Sequence, residues 1–125
     1  MTKTMTKKQW KTKITKACKD AGTYQKCFDN VIDTLAGILA IRDHAQELFE
    51  ESGGNPIVKH TNKGGATNLV KNPALVVIME CNQQALAYWR DLGLSPAGLK
   101  RLGDKGLVDR DKGGGLADAL AELGI

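Results

Sequence analysis

The sequence predicts a mainly α chain organised around a long helical hairpin, and three observations carry that reading. Apolar residues recur every three or four positions across residues 6–51 and 73–93, the period of a helix with a buried stripe. Stop and start signals fall where that period breaks: Gly22, the SGGNP run at 52–56, Asn72-Pro73 and Ser95-Pro96. The length of 125 residues, with 42% hydrophobic and 26% charged residues, fits one globular unit that can bury its own core. The expected division is a basic N-terminal arm or helix at 1–22, a helical core and oligomerisation unit at 23–103, and a flexible linker with a tail helix at 104–125.

The first helix is expected from Thr6 to Ala21. Trp10, Ile14, Ala17, Cys18 and Ala21 form its apolar side, and lysines take the rest, so it is read as an appended amphipathic helix that docks by Trp10 and Ile14. Gly22 takes the C′ position and Thr23 is read as the next N-cap. The second helix is expected from Tyr24 to Glu51. Tyr24, Cys27, Phe28, Val31, Leu35, Ile38 and Leu39 make a stripe that Ala45, Leu48 and Phe49 continue, and Ile32, Ala36 and Ile41 widen it. An apolar surface this broad needs cover on more than one side, from the third helix and from a neighbouring subunit. Gly37 inside this helix costs about 1 kcal/mol relative to Ala and is read as the mark of a close helix crossing. Residues 57–72 admit two readings, a short β-hairpin of Ile57-Val58 and Leu69-Val70 around Gly64-Gly65, or an extended loop.

Asn72 as N-cap and Pro73 at N1 open the third helix, which ends at Gly93. Its stripe is read as Leu75, Met79, Asn82, Leu86 and Trp89. A short fourth helix follows Ser95-Pro96, over Ala97 to Leu102. Residues 104–115 are charged and glycine-rich, a tether for a last helix with Leu116, Leu120 and Leu123 on one side. The core and oligomer contacts are assigned to Phe28, Val31, Leu35, Leu39, Met79, Leu86 and Trp89.

Charge is distributed unevenly. The net value is +4, but residues 1–26 carry eight lysines against Asp20, and residues 27–51 carry six acids against Arg42. Residues 52–78 have Lys59, Lys63 and Lys71 and no acid. A dense basic arm suits phosphate, because each Lys that neutralises a phosphate releases a counterion. A solvated basic face kept for solubility is the plain alternative. No run of 18 apolar residues supports a membrane span, and MTKTMTKKQWKTKITK lacks the apolar core of a secretory signal. Cys18, Cys27 and Cys81 show no CxxC spacing and are read as reduced thiols.

No catalytic constellation is found. His44 sits among Arg42, Asp43 and Glu47 on what reads as a solvated helix face, and His60 lies in the central stretch. The two are not at metal-ligand spacing. The carboxylates at 29, 33, 43, 47, 50 and 51 read as the outer face of the second helix. The glycine pairs match no phosphate-cradling motif. The chain is therefore read as a non-enzyme with no metal and no cofactor. The pair 6–21 and 24–51 has a helix-turn-helix turn, but the second helix is too long, acidic and apolar for a recognition helix.

Four stretches in order carry a family resemblance: KKQWKTKITKACKDAGTY (7–24), CFDNVIDTLAGIL (27–39), the glycine-bearing stretch closing in KNPAL (71–75), and YWRDLGLSP with GLKRLG (88–96 and 98–103). Over about residues 7–103 the chain resembles bacteriophage terminase small subunits, with LGLSP the most specific element. The resemblance implies a non-catalytic DNA-packaging factor in the host cytoplasm. By the same resemblance it is expected to form a homo-oligomeric ring, to bind double-stranded phage DNA at packaging sites, and to recruit and regulate the large ATPase/nuclease subunit. DNA contacts are assigned to Lys7, Lys8, Lys11, Lys13, Lys16 and Lys19, then to Lys59, Lys63 and Lys71. Contact with the large subunit is assigned to Leu116, Leu120 and Leu123, with a frayed end, or a helix folded back on its own ring, as the alternative. A small dimeric DNA-binding transcriptional regulator is the rival reading, and a purely structural head or adaptor protein is a third.

Overall fold

The structure, a computed structural model, describes residues 4–107 and Leu123. It is mainly helical, in the order α1 (Lys7–Ala21), a 3-10 turn (Lys26–Phe28), α2 (Asp29–Glu51), β1 (Ile57–Thr61), β2 (Thr67–Lys71), α3 (Pro73–Asp91) and α4 (Pro96–Asp104). Gly113, Gly114, Gly115, Leu116 and Leu120 lie outside the described residues.

α1 starts at a capping box. The Thr6 hydroxyl accepts from the Gln9 amide, and the Gln9 side chain accepts from the Thr6 amide. Trp10, Ile14, Ala17, Cys18 and Ala21 are all buried, so α1 is a full member of the core rather than an appendage. Thr23 is not the next N-cap. It follows the left-handed Gly22, and its amide donates to Cys18 O at 2.8 Å, which closes α1. Its side chain is buried. The second helix therefore begins later than its pattern implied, through the 3-10 turn and then α2 from Asp29.

α2 is flanked by α1 and α3. Ile32, Leu35, Ala36 and Leu39 are its fully buried apolar residues, while Phe28 and Val31 pack against the core from partly buried positions and Cys27 is exposed. The α3 stripe differs from the expected one. Ile78, Cys81, Ala85 and Trp89 face inward, whereas Met79 is 63% and Leu86 67% exposed. These two leave the core set, and of the expected stripe Trp89 alone is buried. The reason is size: Cys81 and Ala85 let α2 and α3 approach, which turns the bulkier Met79 and Leu86 outward.

The LGLSP element makes the corner between α3 and α4. Leu92 and Leu94 are buried, Leu94 N donates to Trp89 O at 2.8 Å, and the Ser95 hydroxyl caps α4 by accepting from Gly98 N at 3.1 Å. Gly93 has φ +73°, and a β-carbon there would meet Leu102 at 2.6 Å and Thr23 at 2.8 Å. At Gly98 a β-carbon would fall 2.1 Å from the Arg90 carbonyl oxygen. Gly98 is thus the close crossing, not Gly37, whose added β-carbon would rest at 3.7 Å from the Lys7 side chain.

Leu123 is buried in the same core cluster as Trp10, Ile14 and Trp89. A leucine held in its own chain's core is not a free docking anchor, which corrects its assignment to a partner.

Candidate nucleic-acid interface

Three surfaces are candidates for function: the lysine side of α1, the hairpin, and the open side of α2 and α3. Burial of Trp10 and Ile14 fixes the rotation of α1, so Lys8, Lys11, Lys16 and Lys19 line one shallow groove along it together with Thr12 and Thr15. The expected arm lysines are not equivalent. Lys7 Nζ lies 3.1 Å and Lys11 Nζ 3.6 Å from the Asp33 carboxylate on α2. That pairing, led by the Lys7 hydrogen bond, holds the Asp33 carboxyl below its ordinary range. Lys16 pairs with Asp20 at 3.2 Å. Lys13 stands over the Trp10 ring and Lys19 over the Tyr24 ring, at 5.6 and 5.0 Å from the centroids. Part of the arm's charge is therefore engaged inside the chain, where Lys7 and Lys11 tie α1 to α2.

The central stretch is a hairpin, which resolves the two readings. Thr61 pairs with Thr67 at its closed end and Ile57 with Lys71 at its base. Asn62 shapes the turn, because its side-chain oxygen accepts from the amides of Gly64 at 3.0 Å and Ala66 at 3.1 Å. Asn72 anchors the base. Its amide donates to Pro56 O, its carboxamide nitrogen donates to Asn55 O at 3.0 Å, and its carboxamide oxygen caps α3 at Ala74 N. Every strand residue except Val58 is exposed, including Lys59 and Lys71, and Lys63 sits in the exposed turn. The strands rest on turn and anchor chemistry rather than on burial.

Sequence reasoning missed the network that joins the three long helices. Asp43 is buried, not on a solvated face. It accepts from the Trp10 indole N–H at 2.7 Å and pairs with Arg42 at 3.1 Å. Arg42 stacks over the Trp10 ring at 5.4 Å and reaches Asn82 on α3 at 3.4 Å. Nothing in the local acidic pattern separates Asp43 from Glu47; only the distant Trp10 does. Beside the network, Arg42, Met79, Asn82, Gln83, Leu86 and Trp89 line a groove of about 540 Å³. Ile41 and Leu48 are likewise exposed on α2. His44 and His60 are both exposed, and no group of three metal-ligating side chains occurs among the described residues. Burial pushes the Cys18 thiol up to about 11, a poor nucleophile at neutral pH. Among the described residues no helix is long and apolar enough to cross a membrane.

The family model described as "Phage terminase, small subunit" matches residues 6–106. The chain belongs to that family. Its role is therefore in phage DNA packaging. The match spans every element from α1 to α4, so the basic helix, the hairpin and the LGLSP corner all fall inside the family's extent rather than outside it. Neither a curated protein nor a solved structure matches the chain.

Proposed function

We propose that this terminase small subunit assembles into a homo-oligomeric ring in the host cytoplasm, binds duplex phage DNA at packaging sites, and recruits and regulates the large ATPase/nuclease subunit without catalysing a reaction itself. The family match over residues 6–106 carries the proposal. The open side of α2 and α3 supports the ring, since Ile41, Leu48, Met79 and Leu86 leave apolar surface that a neighbouring subunit would cover. The lysine side of α1 supports DNA binding, with Lys8, Lys13 and Lys19 as the leading contacts and Lys7, Lys11 and Lys16 demoted by their pairing with Asp33 and Asp20. Repetition around a ring turns weak single contacts into avid ones.

The test is a salt titration of duplex binding. Replacing Lys8 and Lys13 together by Ala lowers the salt slope by about 0.9 log unit for each phosphate that is no longer neutralised. Wild-type protein that binds no duplex at low salt removes the DNA-binding role. The large-subunit contact is assigned to the segment beyond residue 104, through Leu116 and Leu120. The variant Leu116→Ala/Leu120→Ala keeps DNA binding and loses stimulation of the large subunit's ATPase; normal stimulation removes that assignment.

A further inference from the structure

We infer that the β1–β2 hairpin is a basic ribbon that enters the major groove of duplex DNA through the face carrying Lys59, Thr61, Thr67, Leu69 and Lys71. The inference rests on the DNA-binding reading above and names the element that would read the duplex.

The first argument is exposure. A two-stranded hairpin is marginal in water unless something covers it. Here every strand residue but Val58 is exposed, with Leu69 73% and Ile57 58% exposed. Such a ribbon is a surface awaiting an occupant. The second argument is charge. Residues 52–79 hold Lys59, Lys63 and Lys71 and no Asp or Glu, although acids flank the segment at Glu51 and Glu80. In contrast to Lys7 and Lys11, none of these three lysines has a carboxylate within salt-bridge distance among the described residues. An acid-free lysine ribbon complements phosphate.

The third argument is shape and side-chain chemistry. The major groove is about 12 Å wide and admits a two-stranded ribbon. Alternation along the paired strands puts Ile57, Lys59 and Thr61 on one face with Thr67, Leu69 and Lys71. Val58, His60, Asn68 and Val70 take the other. The first face is the more open, since Val58 is half-buried and Val70 far less exposed than Leu69. It offers two ammonium groups, a hydroxyl pair 3.2 Å apart at Thr61 and Thr67, and an apolar tip at Leu69. The ammonium groups suit the phosphates that flank the groove, the hydroxyl pair suits mixed polar base edges, and Leu69 suits the thymine methyl. Lys63 in the turn is placed for a flanking phosphate. The anchor at Asn72 sets the ribbon's base firmly on the helical core.

The experiment uses the full chain and a mixed-sequence 40-base-pair duplex, with binding followed across a salt series. Lys59→Ala/Lys71→Ala is expected to shallow the log–log salt slope by about 1.8, two phosphates at about 0.9 each. Helical content and native mass are expected to stay at wild-type values. Lys59→Glu/Lys71→Glu is expected to weaken binding further. Duplex preloaded with the major-groove ligand methyl green is expected to resist binding, and duplex preloaded with the minor-groove ligand netropsin is not. Unchanged slope and affinity in both lysine variants overturn the inference while wild-type binding leaves the broader reading standing. A drop in native mass without a change of slope overturns it too, and makes the hairpin a contact between copies. Competition by netropsin alone overturns the groove assignment.

Discussion

Replacing Asp43 by Ala tests the network that couples α1 to the helical hairpin. The carboxylate accepts from the Trp10 indole at 2.7 Å, and Trp10 is buried. Without it the indole N–H has no acceptor, which costs about 1–3 kcal/mol for a buried donor. Arg42 is also deprived of its pair at 3.1 Å, but it is partly exposed and keeps Asn82, so that change adds at most about 1 kcal/mol. The expected destabilisation is about 1–4 kcal/mol. Asp43→Asn keeps an acceptor and loses the charge, so it is expected to cost about half as much. Trp10→Phe removes the donor, and the cycle of Trp10→Phe with Asp43→Ala is expected to show a coupling of about 1–2 kcal/mol. Urea unfolding at a fixed protomer concentration measures all of these, since assembly makes stability concentration-dependent. A change under about 0.5 kcal/mol for Asp43→Ala, the size typical of a solvated surface site, refutes the network.

Gly98→Ala is expected to lose about 1–3 kcal/mol, because its β-carbon meets the Arg90 carbonyl at 2.1 Å, while Gly37→Ala is expected to be neutral or to gain up to about 1 kcal/mol; thermal unfolding of the pair checks both. Leu35→Ala is expected to cost about 2–5 kcal/mol as a fully buried truncation, read from the urea midpoint, and wild-type stability would undo the packing assignment. The Cys18 thiol stays neutral in the fold to about 11, against 9.0 when unfolded, so its contribution is complete below pH 9 and is lost as the pH climbs toward 11. Wild type is expected to lose about 2 kcal/mol more than Cys18→Ala between pH 8 and pH 11, and parallel pH profiles would contradict this.

The helices were legible where their signals are local. Trp10 and Ile14 set the phase of α1 by spacing, and Asn72-Pro73 and Ser95-Pro96 marked starts that the hydrogen bonds at Ala74 and Gly98 bear out. The phase of α3 was not legible in the same way. Leu75 to Met79 is apolar all round, so two stripes sharing Trp89 fit the period equally, and the choice between them rests on which side carries small residues for α2 to meet. The hairpin was ambiguous because its strands bury almost nothing and depend on Asn62 and Asn72, whose roles need the folded backbone. At the candidate interface, the lysines were visible as charge, but the division between those paired with Asp33 and those turned toward solvent depends on how α1 lies across α2. Gly98 looked like any helix glycine until the Arg90 carbonyl stood against it.

Native mass spectrometry of the full chain tests the central claim most directly. The account predicts one closed homo-oligomer of more than two 13.5 kDa copies, which Met79→Asp/Leu86→Asp reduces to folded monomer by placing charge on the exposed apolar side of α3. A wild-type monomer or dimer at micromolar concentration, or an oligomer indifferent to both substitutions, contradicts it.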